Sequence, residues 1–333
     1  MSTAFDSVAA AVKSLSKRLA LLIPAAMVLG FVTGLLVDLQ PLKAAVLPLT
    51  MLMVYPMLID FRPSQALTLK DGKAVALAML LDLAVLPVLA WGLALAFFKD
   101  QPGLFVGMVL AGLFPTSGMT ISWTGFAKGN VGAAVKMTVI GLVLASVLSP
   151  LYLSVLAGKV VPVDQGETLK TVALVIGLPM ALGIATRKLI VATMGEDVYS
   201  TRLRPLFPGV SSIGVLAIVF VAIGLKARMI ASRPQELLVV LVPLVVFYGL
   251  NFGIATILGR TLLPRADAIA VVYGSVMRNL SIALGVAMTQ FGPDAALVLA
   301  VAYIVQVQSA AWYVRLSDTV FGPAEAPAAR AAA

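Results

Sequence analysis

The chain contains no cysteine and no histidine. Without cysteine it has no disulfides, no thiolate metal sites and no thiol nucleophile. Without histidine it lacks the usual proton shuttle near neutral pH and the commonest metal ligand. Charge is scarce as well: 12% of the 333 residues are Asp, Glu, Lys or Arg, against 61% hydrophobic. Soluble domains carry about 25% charged residues, and a single core of this size does not hide so much apolar surface. The mean hydropathy of +1.04 calls for an apolar solvent. The sequence therefore reads as an all-α polytopic membrane protein whose first partner is the lipid bilayer. A net charge of +9 does not indicate nucleic acid here, because the basic residues lie between apolar runs, where they meet a membrane surface.

Ten stretches are apolar over roughly the 20 residues that a membrane helix needs. They are 19–38, 43–60, 74–98, 103–127, 131–157, 169–187, 205–227, 236–260, 267–291 and 294–316. Turn chemistry separates them at Arg62-Pro63-Ser64, Asp100-Gln101-Pro102-Gly103, Lys128-Gly129-Asn130 and Gly292-Pro293-Asp294. No alternating pattern indicates a β-barrel. The first stretch follows Lys13, Lys17 and Arg18 and reads as a retained helix rather than a cleaved signal. Lys and Arg crowd the segments on one side, which places residues 1–18 and the Ala- and Pro-rich tail 317–333 in the cytoplasm. The tail reads as disordered from Phe321. The connections are short, with no nucleotide-binding motor, no cofactor motif and no metal-ligand cluster, so a primary pump and an enzyme are disfavoured.

Ten spans divide into residues 19–157 and 169–316, joined by an outer loop at 158–168. Five spans per half invert the second half relative to the first. The fourth and ninth spans carry matching polar interruptions, Gly112-Leu113-Phe114-Pro115-Thr116-Ser117-Gly118 and Gly274-Ser275-Val276-Met277-Arg278-Asn279. Broken helices in corresponding positions point to a transporter's binding site, although a proline such as Pro115 also simply kinks packed helices. Away from the ends of the spans, only Asp82, Lys136 and Arg278 are charged. Each costs about 2.5–3.5 kcal/mol at a helix centre. Asp82 and Arg278 both fall near mid-depth, and pairing them is the economical arrangement, as a coupling device or as a structural lock between two helices. Lys136 either takes part in coupling or snorkels to the cytoplasmic face. Hydroxyls and amides gather nearby at Thr116, Ser117, Thr120, Ser122, Thr138, Asn251, Ser275, Asn279 and Ser281. Trp123 reads as an anchor at the lipid interface.

At these residues the chain resembles the superfamily of bile acid:sodium symporters and arsenite-efflux permeases. The resemblance runs over almost the whole chain and is strongest at Val54-Tyr55-Pro56-Met57, across 113–130 and across 277–288. It implies ten helices in two inverted five-helix repeats. Helices 1, 2, 6 and 7 would form a panel, and 3, 4, 5, 8, 9 and 10 a core in which helices 4 and 9 are unwound and cross. It also implies substrate contacts at Pro115, Thr116, Ser117, Thr120, Ser275, Arg278, Asn279 and Ser281.

The departures from the family pattern matter as much. The sodium-binding Glu of the symporters falls on Gly274, a Gln beside it on Arg278, and a helix-3 Gln of the second sodium site on Asp82; only Thr120 and Thr138 keep sodium-ligand chemistry. Hard-cation coordination without a carboxylate and beside a guanidinium is disfavoured. The arsenite permeases match better at Tyr55-Pro56, Arg62 and Arg278-Asn279, but their Cys is Thr116 here and their Glu is Ser281. The resulting expectation is a secondary transporter of a small polar or anionic solute in a bacterial inner membrane, independent of sodium and coupled to protons through Asp82, Arg278 or Lys136. A sodium/organic-anion symporter is the rival, and a membrane receptor or scaffold is the rival from another class.

Overall fold

The computed structural model describes residues 9–12, 14–15, 18–59, 71–161, 164–232 and 234–323. The expected turn at Arg62-Pro63-Ser64 and the tail beyond Pro323 lie outside them. The described chain is helical. Its main helices are α1 (Leu19–Leu36), α2 (Val46–Ile59), α3 (Gly72–Phe98), α4 (Pro102–Leu113), α5 (Gly118–Phe126), α6 (Val131–Ala157) and α7 (Gln165–Met194). They continue with α8 (Phe207–Ser232), α9 (Gln235–Leu262), α10 (Arg265–Val276), α11 (Leu280–Val286) and α12 (Pro293–Phe321). Among the described residues, eight helices are long and apolar enough to cross a bilayer, or nine if the bent pair α4 and α5 makes one span. The apolar part of α1, Leu21–Leu36, is shorter.

Local chemistry sets the helix ends. Pro102 and Pro293 open α4 and α12, where a missing N–H is harmless. Asn130 caps α6 by accepting from the Ala133 N–H at 3.1 Å. Asp164 caps α7 through the N–H groups of Gly166 and Glu167. Gly292, with φ of 86°, turns the chain from the end of α11 into α12, a conformation that favours glycine.

Two bodies of packed helices result. In one, α8 lies along α1 and α2, and α7 packs on α2. In the other, α10 and α11 run through the middle of α3, α4, α6, α9 and α12, and every residue from Ala268 to Met288 is buried. Two side-chain bonds tie the bodies together near Gly292. Lys226 of α8 pairs with Asp294 of α12 at 2.5 Å, and Gln290 donates to the Thr168 hydroxyl of α7 at 2.6 Å.

The seam between α1 and α8 depends on small residues, the usual device for close helix approach in lipid. A Cβ on Gly34 would run into the Gly224 carbonyl and meet the Ala227 Cβ at 2.8 Å. Gly34→Ala is therefore expected to lower the melting temperature of the detergent-solubilised protein, at an overpacking cost of about 1–3 kcal/mol. Gly249→Ala, placed where nothing lies within 4 Å, should leave it unchanged. Equal shifts in the two variants would reject the seam.

Candidate functional site

The site forms where two helices break. Helix α4 stops at Leu113, the chain runs extended through Phe114, and α5 restarts at Gly118 with its axis turned by 58°. Helix α10 stops at Val276, and α11 restarts at Leu280, capped by Asn279, whose side chain accepts from the Ile282 N–H at 3.3 Å. The two breaks touch directly. The Asn279 N–H donates to the Phe114 carbonyl at 3.0 Å, and the Thr120 hydroxyl reaches the Met277 carbonyl at 3.5 Å. Main-chain groups freed at membrane depth must be answered by protein in this way.

The first break is strained. Thr116 has φ of 28°, which a β-branched residue rarely adopts. Its hydroxyl donates to the Met137 carbonyl at 3.2 Å, and Gly141 leaves room for it, since a Cβ there would sit 2.9 Å from that oxygen. Such strain persists only where the surroundings enforce it, and it gathers at binding sites. The Ser117 N–H donates to the Thr120 hydroxyl at 3.3 Å, while the Ser117 hydroxyl has no partner among the described residues.

Arg278 projects from the second break with no exposed surface. Its Nη1 donates to Asp82 Oδ1 at 2.5 Å, so the two intramembrane charges expected to pair do so. Its Nη2 donates to the Gly112 carbonyl beside the first break and, at 3.5 Å, to the Asp82 carbonyl. Asp82 lies in a π-helical turn, Leu81–Val85, which widens α3 at this level. The Leu83 carbonyl in that turn accepts from the Tyr152 hydroxyl. Asp82 Oδ2 and Arg278 Nε remain without partners among the described residues. One guanidinium thus joins α3, α4 and the α10–α11 break.

Other residues singled out in the sequence take different places. Ser281 shares a short hydrogen bond with Tyr303. Ser275 is fully buried, its carbonyl accepts from Asn251 Nδ2 at 3.1 Å, and its hydroxyl is unpaired among the described residues. Pro115 is buried in the first break. Thr138 bonds back to the Ala134 carbonyl of its own helix at 2.8 Å. A Cβ on Gly274 would meet Met137 Sδ at 2.8 Å. Lys136 reaches a partner in the turn that precedes α3. It pairs with Asp71 at 3.0 Å, and Asn130 Nδ2 bridges Asp71 to Asp267 at 2.9 and 2.7 Å. Trp123 stacks its ring on Tyr273 with centroids 6.4 Å apart, fastening α5 to α10. Asp71, Tyr248, Gln306 and Tyr303 were missed in the sequence. Gln306, an amide in the apolar middle of α12, carried the one signal that was there to be found.

Removing one member of a buried ion pair strands the other, at about 3–5 kcal/mol, whereas replacing both by apolar groups is often neutral. Asp82→Ala and Arg278→Met should each lower the melting temperature sharply. Asp82→Leu combined with Arg278→Met should recover most of the loss. Single variants as stable as the parent would show that the pair contributes nothing to folding.

A family described as the Sodium Bile acid symporter family matches residues 47–233. YbaS, an uncharacterized protein of Bacillus subtilis (strain 168), is 28% identical over 245 residues, covering 72% of this chain and 78% of its own. The arsenical-resistance protein Acr3 of Alkaliphilus metalliredigens (strain QYMF) is 25% identical over 283 residues, 80% of this chain and 79% of its own. YocS of Bacillus subtilis (strain 168), an uncharacterized sodium-dependent transporter, is 26% identical over 220 residues, 66% of this chain and 65% of its own. With a match spanning more than half of its length, the chain belongs to the sodium bile acid symporter family and is a membrane transporter rather than an enzyme.

Proposed function

We propose that the chain is a secondary active transporter of a small polar or anionic solute, working by alternating access in a bacterial plasma membrane with both termini cytoplasmic. The observation that carries this reading is the buried Asp82–Arg278 pair, set where two broken helices touch. The body formed by α1, α2, α7 and α8 would act as the panel and rock against the other helices. Residues 19–157 and 169–316 would be the inverted repeats. The solute would sit against Pro115, Thr116, Ser117, Thr120, Ser275, Arg278, Asn279 and Ser281. The unpaired hydroxyls of Ser117 and Ser275 supply hydrogen bonds there, and Arg278 favours negative charge.

The name of the Acr3 relative supports an arsenite- or antimonite-like solute. In this chain hydroxyls, not a thiolate, would hold it. Sodium independence is supported by Met137 lying against Gly274 and by the commitment of Thr120 and Thr138 to main-chain carbonyls. The name of the family and that of YocS favour a second reading, sodium-coupled uptake of an organic anion. Proteoliposomes decide between them. Flux of arsenite, antimonite and organic acids should not change when choline replaces sodium. A saturable sodium requirement would establish the second reading instead.

Coupling is assigned to Asp82. As an anionic solute draws Arg278 away, the freed carboxylate takes up a proton and carries it through the cycle. Asp82→Asn should abolish accumulation driven by a pH gradient while retaining part of the solute exchange. Lys136→Ala, acting on the Asp71 pair away from the breaks, should keep accumulation. An Asp82→Asn protein that still concentrates solute would leave the pair as a lock only, and loss of coupling in Lys136→Ala would move the proton site to α6.

A further inference from the structure

The carbonyls around the second break are held from three sides. Ser275 accepts from Asn251 of α9, Met277 from Thr120 of α5, and Arg278 from Gln306 of α12. The last of these is built with an orienting partner of its own. Gln306 has no exposed surface. The Tyr248 hydroxyl of α9 donates to its Oε1 at 2.9 Å, which leaves Nε2 as the end that donates to the Arg278 carbonyl at 3.2 Å. Tyr248 therefore decides which way the amide faces. The Arg278 carbonyl is tied to the same short stretch of main chain that carries its side chain, so holding that carbonyl also sets the direction in which the side chain departs. The guanidinium tolerates little error, because Nη1 must meet Asp82 Oδ1 and Nη2 the Gly112 carbonyl together.

We infer that Gln306, oriented by Tyr248, is a positioning residue for Arg278 in transport. It acts through main chain, not by touching solute or proton. The inference rests on the reading of Asp82 and Arg278 as the working pair. A glutamine that merely filled space would be replaceable by leucine, and its amide proton would be irrelevant.

The test uses Gln306→Leu, which keeps bulk and removes both bonds, and Gln306→Glu, which keeps shape but donates only while the carboxyl holds its proton. Antimonite and arsenite flux is measured in proteoliposomes from acidic to alkaline pH, with the wild type alongside because Arg278, Asp82, Tyr248 and Tyr303 are electrostatically linked around this point. Gln306→Leu should lose about tenfold in flux at every pH, the scale of one buried hydrogen bond. Gln306→Glu should match the wild type in acid and fall to the leucine level in alkali. A second measurement needs no solute: the melting shifts of Gln306→Leu and Arg278→Gln should combine to less than their sum, since both variants disturb one interaction. If the wild type moves neither solute, the functional reading fails, and the melting cycle still decides the role of Gln306. Additive melting shifts, or a Gln306→Glu variant that follows the wild type across the whole pH range, would overturn the inference.

Discussion

A guanidinium with no exposed surface has to be neutralised and hydrogen-bonded where it stands, because the bilayer offers neither water nor counterions. That demand organises the centre of this protein. Asp82 answers the charge, and the Gly112 carbonyl takes a second donor. The wide turn Leu81–Val85 puts both the carboxylate and the Asp82 carbonyl within reach. Gly112 also lets α4 approach α3 closely, since a Cβ there would crowd the Leu86 carbonyl at 2.9 Å. None of these features is needed to cross a membrane. They are needed to hold one cation in the middle of it.

The breaks on either side follow the same logic in the main chain. Interrupting a helix at membrane depth orphans peptide groups that water would otherwise satisfy. Here the replacements at the second break come from other helices: Thr120, Asn251 and Gln306 each reach across to it. Many polar side chains of the apolar core serve as a substitute for missing helix, while among the described residues atoms of Asp82, Arg278, Ser117 and Ser275, beside the breaks, keep hydrogen-bonding capacity that no neighbour uses. The site and its scaffold are thus made of the same few groups, divided by whether a neighbouring peptide has already claimed them.

Much of this was legible from residues alone, for identifiable reasons. Apolar length reports a membrane helix because the bilayer has one thickness, and the helices lie where those runs predicted them. A charge in such a run announces a partner because it costs too much alone, which is why the sequence by itself pairs Asp82 with Arg278. Other placements were not legible because a third party decides them. Lys136 ends on Asp71, a residue in a turn outside the apolar runs, so hydropathy gave no reason to bring them together. Trp123 stacks on Tyr273 because α5 is redirected by the break, an angle no composition encodes. The hydroxyl of Thr116 faces Met137 because of a backbone conformation that its side chain would not choose unaided.

The bond from the Asn279 N–H to the Phe114 carbonyl joins the two breaks without involving either side chain. A joint of that kind is indifferent to which side chains its residues carry, provided they tolerate the local backbone. The positions around it are in consequence interchangeable parts on a fixed mount. Side chains at 116 or 281 can change while the bond between the two breaks stays in place. A lineage built on such a joint can vary the side chains around it one residue at a time and still keep the two breaks joined.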